Sequence, residues 1–345
     1  MVSQPWTTRD SLRATLLERG IHRDISAAGP SADPEALRVA YLDLLKLSLC
    51  DLAGAQTQSV NMLDDSRISA GGVYSEELAA KEMPLRAMGS DWPLNGLTMV
   101  GLKRLDDLQE CIESVVADDV PGDVIEAGVW RGGASILARA TLDSLGQGDR
   151  TVWVADSFQG LPPPDREAFP EDTHLDLSQL DYLSVPVEEV RGYFRRFGLD
   201  HGVEYVEGFF GDTLPELRGH PWSVIRLDGD SYEAIWAGLE SLYPTLARGG
   251  YMVIDDYLLI REARNAVDEF REAHGITAPL KGIDWVGARW RREDDPDAGV
   301  AQTEIRRVER AHPESAPERS ERPHIPTRRE LELELELQRL RGSAR

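Results

Sequence analysis

Cysteine is nearly missing from this chain. Its 345 residues hold two, Cys50 and Cys111. Both fall in helical patterns, so they are expected as buried free thiols rather than a disulfide, and no redox chemistry follows from them. Long apolar runs are also missing: nothing approaches the ~18 residues that a membrane helix needs. The opening MVSQPWTTRDSLRATLLERG lacks the basic start, apolar middle and small-residue cleavage site of a secretory signal, and a cytoplasmic location is expected. Positive charge is scarce as well, with 38 Lys and Arg against 61 Asp and Glu, a net charge of −23. Such a balance repels phosphate backbones and anionic lipid at long range, so neither nucleic acid nor membrane is expected as a partner. A small neutral or cationic molecule is compatible with it. No internal repeat is visible.

What is present suffices for a full core: 41% hydrophobic residues and eight Trp, in one large domain or two modest ones. Residues 293–345 stand apart. They contain no Phe, Trp or Tyr, are broken by Pro296, Pro313, Pro317, Pro323 and Pro326, and carry 13 acids against 10 bases. A segment of that composition cannot build a core and is expected to be disordered or to bind a partner. Its closing ELELELEL suits an edge strand by its period of two, or a short helix. With the tail at −3, −20 of the net −23 falls on residues 1–292, so the acidity belongs to the folded body.

Residues 1–95 read as a helical N-terminal extension. In DPEALRVAYLDLLKLSLCDLA, Pro34 marks a helix start, and Leu37, Tyr41, Leu44, Leu45 and Leu49 recur at helical spacing as a buried face. The following Gly-, Ser- and Pro-containing stretch, up to Gly96, suits a lid over a site or a plain surface excursion. A second helix places Leu102, Leu105, Leu108, Ile112 and Val115 on one face. From there to residue 292 strand-like runs (DVIEAG, RTVWVADSF, VEYVEGF, SVIRLDGD, YMVIDDY) alternate with helical ones, and LKGIDWVGARWRR adds one or two closing strands. The alternation implies right-handed crossovers and a doubly wound, mainly parallel α/β sheet. Ligands in such sheets bind at the carboxyl ends of the strands, where the strand order reverses.

Those ends carry the informative residues. The turn IEAGVWRGGAS brings Gly128, Gly132 and Gly133 to a close backbone approach, although it departs from the G-x-G-x-x-G dinucleotide pattern. Asp156, ending the next strand, can accept both hydroxyls of a ribose or cap its own turn. Two further strands end in carboxylates: Asp228 in RLDGDSYE, and Asp255 with Asp256 in YMVIDDY. Adjacent strands would bring these within about 5 Å, where like charges repel unless a proton or cation lies between them. An all-oxygen set with no nearby Cys or His favours magnesium or manganese over zinc. Asp230 is expected as the N-cap of the helix that follows, and Asp212 and Asp284 as structural or solvated. None of the seven histidines lies in a motif; His174 sits in a long polar insertion that could reach an acceptor, but a surface role is the expected one.

The blocks TMVGLKRLDDLQ, GDVIEAGVWRGG, VWVADSFQGLP, RLDGDSYE, GGYMVIDDY and HGI, in this order, resemble the macrocin O-methyltransferase (TylF/MycF-type) family of class I S-adenosylmethionine-dependent methyltransferases. The resemblance spans roughly Tyr41 to Arg292. It implies a Rossmann-like fold, S-adenosylmethionine as methyl donor, a bound magnesium ion, and as acceptor a small glycoside, a deoxysugar hydroxyl on a macrolide or related natural product; assembly as a homo-oligomer is expected. By the same resemblance Thr98 and Met99 line the methionine end of the cofactor, with Glu126, Gly128, Trp130 and Arg131 around its amino acid portion. Asp156 takes the ribose, Ser157 and Gln159 lie beside it, and Gly208 and Phe209 border the adenine. Asp228, Asp255 and Asp256 hold magnesium, and Asp228 is also the catalytic base. Leu97, Val286 and Arg289 differ from what relatives tend to carry, at positions near the expected acceptor. Two other readings compete: a D-x-D glycosyltransferase using DGD to hold a nucleotide-sugar through a metal, and a non-catalytic nucleoside-binding scaffold.

Overall fold

The computed structural model describes residues 33–54, 59–60, 85–172, 176–178 and 180–293. His174, most of the expected lid and nearly all of the 293–345 tail lie outside the described residues. Helix α1 (Pro34–Leu49) starts where Pro34 predicts, with the Asp33 carboxylate accepting the Glu35 N–H. Its buried face is not the expected one. Leu45 and Leu49 are buried, but Leu37, Tyr41 and Leu44 are exposed, and Leu42, Asp43, Lys46 and Leu47 are covered instead. Lys46 turns inward because its ammonium pairs with Asp43 and with Asp106 of the next helix, which rotates the helix away from the face that the leucines alone suggest. Strands β1 (Ser59–Val60) and β2 (Trp92–Pro93) form a small antiparallel pair.

Helix α2 (Gly101–Ala117) buries all five predicted positions, Leu102 to Val115. After it the chain runs β3 (Asp123–Ala127), α3 (Gly133–Ser144), β4 (Val152–Asp156), α4 (Val187–Phe197), β5 (Val203–Glu207) and a short α5 (Phe210–Thr213). It continues with β6 (Trp222–Leu227), α6 (Tyr232–Leu242), β7 (Leu246–Ile254), α7 (Arg261–Ala273), β8 (Lys281–Gly282) and β9 (Ala288–Arg291). The seven strands order as β5-β4-β3-β6-β7-β9-β8. Strands β3 to β7 pair in parallel and β9 runs antiparallel to both its neighbours.

Alternation along each strand sends residues to opposite faces, and both faces are covered. Val124, Val152, Val154 and Val224 join α1 to α4 in one apolar cluster, whereas Ile125, Ala127, Ile225 and Leu227 join α6 and α7 in the other. The first cluster contains Leu42, Leu45 and Leu49 together with Leu105 and Ile136, so one core runs across residue 95. Cys50 and Cys111 are buried free thiols, and burial pushes Cys50 up to about 12. Among the described residues no helix is long and apolar enough to cross a membrane. The order of strands reverses between β3 and β6, which fixes where a ligand crevice can open.

Candidate active site

At that reversal the β3 turn lies directly on the end of β6. Gly128 has φ +92°, and a Cβ there would come within 1.7 Å of the Asp228 carbonyl oxygen; only glycine permits this approach. The Asp228 N–H continues the sheet to the Ala127 carbonyl at 2.8 Å, and the Asp255 N–H reaches the Leu227 carbonyl at 2.9 Å. The carboxyl ends of three strands are thereby held side by side. Trp130, Phe158 and Asp230, all non-glycine, adopt left-handed backbone (φ +48°, +56° and +58°) in the turns around this point, the strained geometry that concentrates at functional sites.

Two cavities open here. The smaller, about 160 Å³, is walled by Gly128, Asp156, Ser157, Phe209, Phe210 and Ala234 among others. The larger, about 700 Å³, is walled by Trp92, Thr98, Glu126, Asp255, Asp256 and Trp285 among others. Both share Met99, Trp130, Leu177, Leu183, Asp228 and Asp230, so they meet at the carboxylates.

Oxygens of Asp228, Asp255 and Asp256 lie within 4.8 Å of one another. Two buried guanidinium groups hold this charge in place. Arg226 donates to Glu126 at 2.6 Å, to Asp228 Oδ2 at 3.0 Å and to Asp255 Oδ1, while Arg104 donates to Asp255 Oδ2 and, at 3.1 Å, to Asp284. Burial and the mutual repulsion of the acids outweigh these cations: Asp228 is pushed up to about 6, Asp230 to about 7, and Asp256 well above the carboxylate range. Glu126 rises to about 7, chiefly by burial. Asp256 Oδ2 is buried and accepts no hydrogen bond. An orphaned lone pair within an all-oxygen set fits a hard divalent cation. Asp228 and Asp256 are better placed for this than Asp255, both of whose oxygens already accept from arginine.

The other expected site residues divide. Met99, Gly128, Trp130, Asp156, Ser157 and Phe209 line the smaller cavity, and Thr98 and Glu126 the larger. Three do not reach either wall. Arg131 stacks on Trp130 and donates to the carbonyls of Leu94 and Gly96 at 2.9 and 2.8 Å, so its charge is spent on holding the 93–96 segment. Gln159 is exposed, and Gly208 has Thr213 close against it. Asp156 also fastens its turns: Oδ2 accepts from Val129 and Trp130 N–H at 2.8 and 3.2 Å, and Oδ1 from Phe158 N–H at 2.8 Å. Val286 lines the larger cavity, whereas Arg289 points away and pairs with Asp107. Asp284, tied to Arg104, is structural.

Asp230 is a correction. The N-cap of α6 is Ser231, whose Oγ accepts the Ala234 N–H at 3.1 Å, and Asp172 accepts from the Tyr232 and Glu233 N–H groups at 2.6 and 3.1 Å. With the helix start satisfied by others, the left-handed backbone turns Asp230 into the junction of the cavities. The D-x-D spacing carried that signal, and the capping preference of Asp masked it. Ser90 and Glu262, both on the larger cavity, had no local signal in the sequence.

Comparison with known proteins agrees with this architecture. Residues 38–292 match the family model described as Macrocin-O-methyltransferase (TylF). The chain is 45% identical over 259 residues to the 8-demethyl-8-(2,3-dimethoxy-alpha-L-rhamnosyl)-tetracenomycin-C 4'-O-methyltransferase of Streptomyces olivaceus, covering 74% of this chain and 94% of that one. It is 41% identical over 256 residues to the mycinamicin III 3''-O-methyltransferase of Micromonospora griseorubida, covering 73% and 96%. Among solved structures, the O-methyltransferase NovP superposes with a TM-score of 0.66 at 39% identity, covering 74% of this chain and all (100%) of that one. The fold, the crevice at the strand reversal and these matches together place the chain in the macrocin O-methyltransferase (TylF) family, as an S-adenosylmethionine-dependent O-methyltransferase.

Proposed function

We propose that this enzyme methylates a hydroxyl of a deoxysugar on a glycosylated natural product such as a macrolide, with a magnesium ion held by Asp228, Asp255 and Asp256. The observation that carries the reading is the meeting of two cavities at one carboxylate cluster. The smaller cavity has the glycine turn and the Asp156 carboxylate that suit a nucleoside. The methionine end of the donor then passes Met99 and Trp130 toward Thr98 and Glu126, and the rest of the larger cavity takes the acceptor. The rhamnosyl group in the name of the tetracenomycin relative supports a sugar as that acceptor.

A sugar hydroxyl is a very weak acid, whereas a sulfonium methyl group is already activated. What the protein adds is alignment of oxygen, methyl carbon and sulfur at about 3–3.5 Å, together with a proton acceptor. Magnesium, when bound, lowers the pKa of a hydroxyl oxygen and fixes its position. The hydroxyl oxygen forms the new C–O bond, the C–S bond breaks to leave a thioether, and the proton passes to a carboxylate. Asp228 was expected both to hold the metal and to take that proton. Its Oδ2 accepts from Arg226, whereas among the described residues no arginine donates to Asp230, which lines both cavities as Asp228 does. We therefore assign Asp228 to the metal and Asp230 to the proton.

Calorimetric titration with S-adenosylmethionine and with Mg²⁺, followed by turnover of mycinamicin III and the rhamnosyl tetracenomycin, tests the assignment. Asp228→Asn is expected to keep donor binding, lose Mg²⁺ binding and lose more than about 10³-fold in turnover. Asp230→Asn is expected to keep both ligands and lose about 10²–10⁴-fold. Full turnover in Asp228→Asn, or donor binding absent from the wild type, would sink the reading.

A further inference from the structure

Trp130 stands on the walls of both cavities and Trp92 on that of the larger, and one ring lies against each of them. Tyr182 stacks on Trp92 with ring centres 5.2 Å apart and 17° between the planes, and meets Trp130 at 5.2 Å and 40°. Its hydroxyl donates to the Pro93 carbonyl, and its own carbonyl accepts from Trp130 Nε1 at 2.9 Å. The Arg131 guanidinium lies 4.2 Å from the Trp130 ring centre and 5.4 Å from that of Tyr182, while donating to the Leu94 and Gly96 carbonyls. The turn after β3 and the segment 92–96 are thus joined through a side chain from a third place in the chain, a single 3-10 turn at Asp181–Leu183.

Two features set this arrangement apart from ordinary packing. Neither Tyr182 nor Trp92 belongs to the two apolar cores that cover the sheet. Tyr182 also borders neither cavity itself, although Leu183 beside it borders both. A ring that touches no ligand space yet holds wall residues on both sides of the junction sets the distance between them. That distance matters because methyl transfer needs its atoms about 3–3.5 Å apart, and a misplacement of ~1 Å costs about 10²-fold. We propose that Tyr182 is a positioning residue, which holds Trp92, and with it the wall facing the acceptor, in place relative to the donor turn. Its loss acts on the acceptor side. Trp130 stays anchored by the Asp156 carboxylate and by Arg131, whereas among the described residues Tyr182 is the one aromatic ring that meets Trp92. The proposal rests on the reading above that the larger cavity takes the acceptor.

The test combines hydrogen–deuterium exchange of full-length protein saturated with S-adenosylhomocysteine, the affinity for S-adenosylhomocysteine, and kcat/KM for mycinamicin III and the rhamnosyl tetracenomycin. Tyr182→Ala is expected to speed exchange at residues 89–92 about 10–100-fold, through loss of one ring stack and one hydrogen bond, while residues 129–136 stay within about threefold. Its kcat/KM for the acceptor is expected to fall about 10–100-fold with S-adenosylhomocysteine affinity within about threefold. Tyr182→Phe keeps the ring and gives up only the bond to Pro93, so its kcat/KM is expected within about fivefold of the wild type. A merely structural role predicts losses on the donor and acceptor sides in step with melting temperature, and that result overturns the proposal. So does an unchanged kcat/KM in Tyr182→Ala, or Tyr182→Phe failing as badly as Tyr182→Ala. The two readings fail separately: if the wild type binds no S-adenosylhomocysteine or methylates neither acceptor, the proposed function falls and the positioning with it, whereas an indifferent Tyr182→Ala in an active enzyme removes the positioning alone.

Discussion

The two cavities are built on different plans. The smaller takes nearly all its polar wall from the turns after β3, β4, β5 and β6, each a short contiguous stretch with its own glycine or acid. The larger gathers residues from 89–104, 126–134, 177–183, 228–230, 255–262 and 285–286. A wall made of single turns is specified locally and holds whatever those turns recognise, which in our proposal is the methyl donor. A wall assembled from distant segments depends on how they pack, so it can change acceptor without disturbing the donor side.

The residue that joins the two plans is Arg226, so its loss has the largest expected effect. It is 3% exposed and contacts Glu126, Asp228 and Asp255. Arg226→Met leaves three carboxylates without this shared cation in a buried setting. Breaking a buried pair in this way costs about 3–5 kcal/mol, a fall in melting temperature of about 10 °C for a domain of this size. Differential scanning calorimetry reads it directly. A fall of under about 2 °C would mean that the acids are already protonated and need no partner.

Asp156→Asn separates the cavities. An amide cannot satisfy Val129, Trp130 and Phe158 N–H groups with both of its terminal atoms, and it loses the charge offered to a ribose. Donor affinity is expected to fall about 10–100-fold, while binding of methyl α-L-rhamnopyranoside in the larger cavity stays within about twofold once donor product is saturating. Equal losses on both sides would show that the cavities act as one site and would remove the contrast.

The same contrast explains how much could be read from the sequence. Strand-and-helix alternation, the Gly128 turn and the acids at strand ends were legible because period and spacing are local properties. The helix face around Leu37, Tyr41 and Leu44 was misread because Lys46 finds Asp106, some 60 residues away, and a long-range ion pair leaves no periodic trace. Asp230 was assigned to capping because Asp caps helices well, yet Ser231 and Asp172 together leave it free to face the cavities. Arg131 was placed on the cofactor by its neighbours in the chain, but its side chain follows the carbonyls of the 93–96 segment. Glu262 was invisible, since an acid at the start of a helix is ordinary until its burial is known.

The smallest effect expected is in the response to pH, and it tests whether the junction of the cavities is a metal site. Asp228 and Asp230 titrate at about 6 and about 7 in the folded protein, above the ~3.9 of an unfolded Asp. Between those values the folded state binds protons that the unfolded state does not, so this contribution to stability is full below ~4 and is lost as pH rises through 6 and 7. In EDTA, the melting temperature is therefore expected to decline between pH 5 and pH 8. A divalent cation replaces the protons, so added Mg²⁺ is expected to raise the melting temperature more at pH 8 than at pH 5 and to flatten the decline. Asp230→Asn should reduce the slope in EDTA while leaving the response to Mg²⁺. A Mg²⁺ response of equal size at both pH values would place the ion elsewhere, and the carboxylate cluster would then be held together by protons and arginines alone.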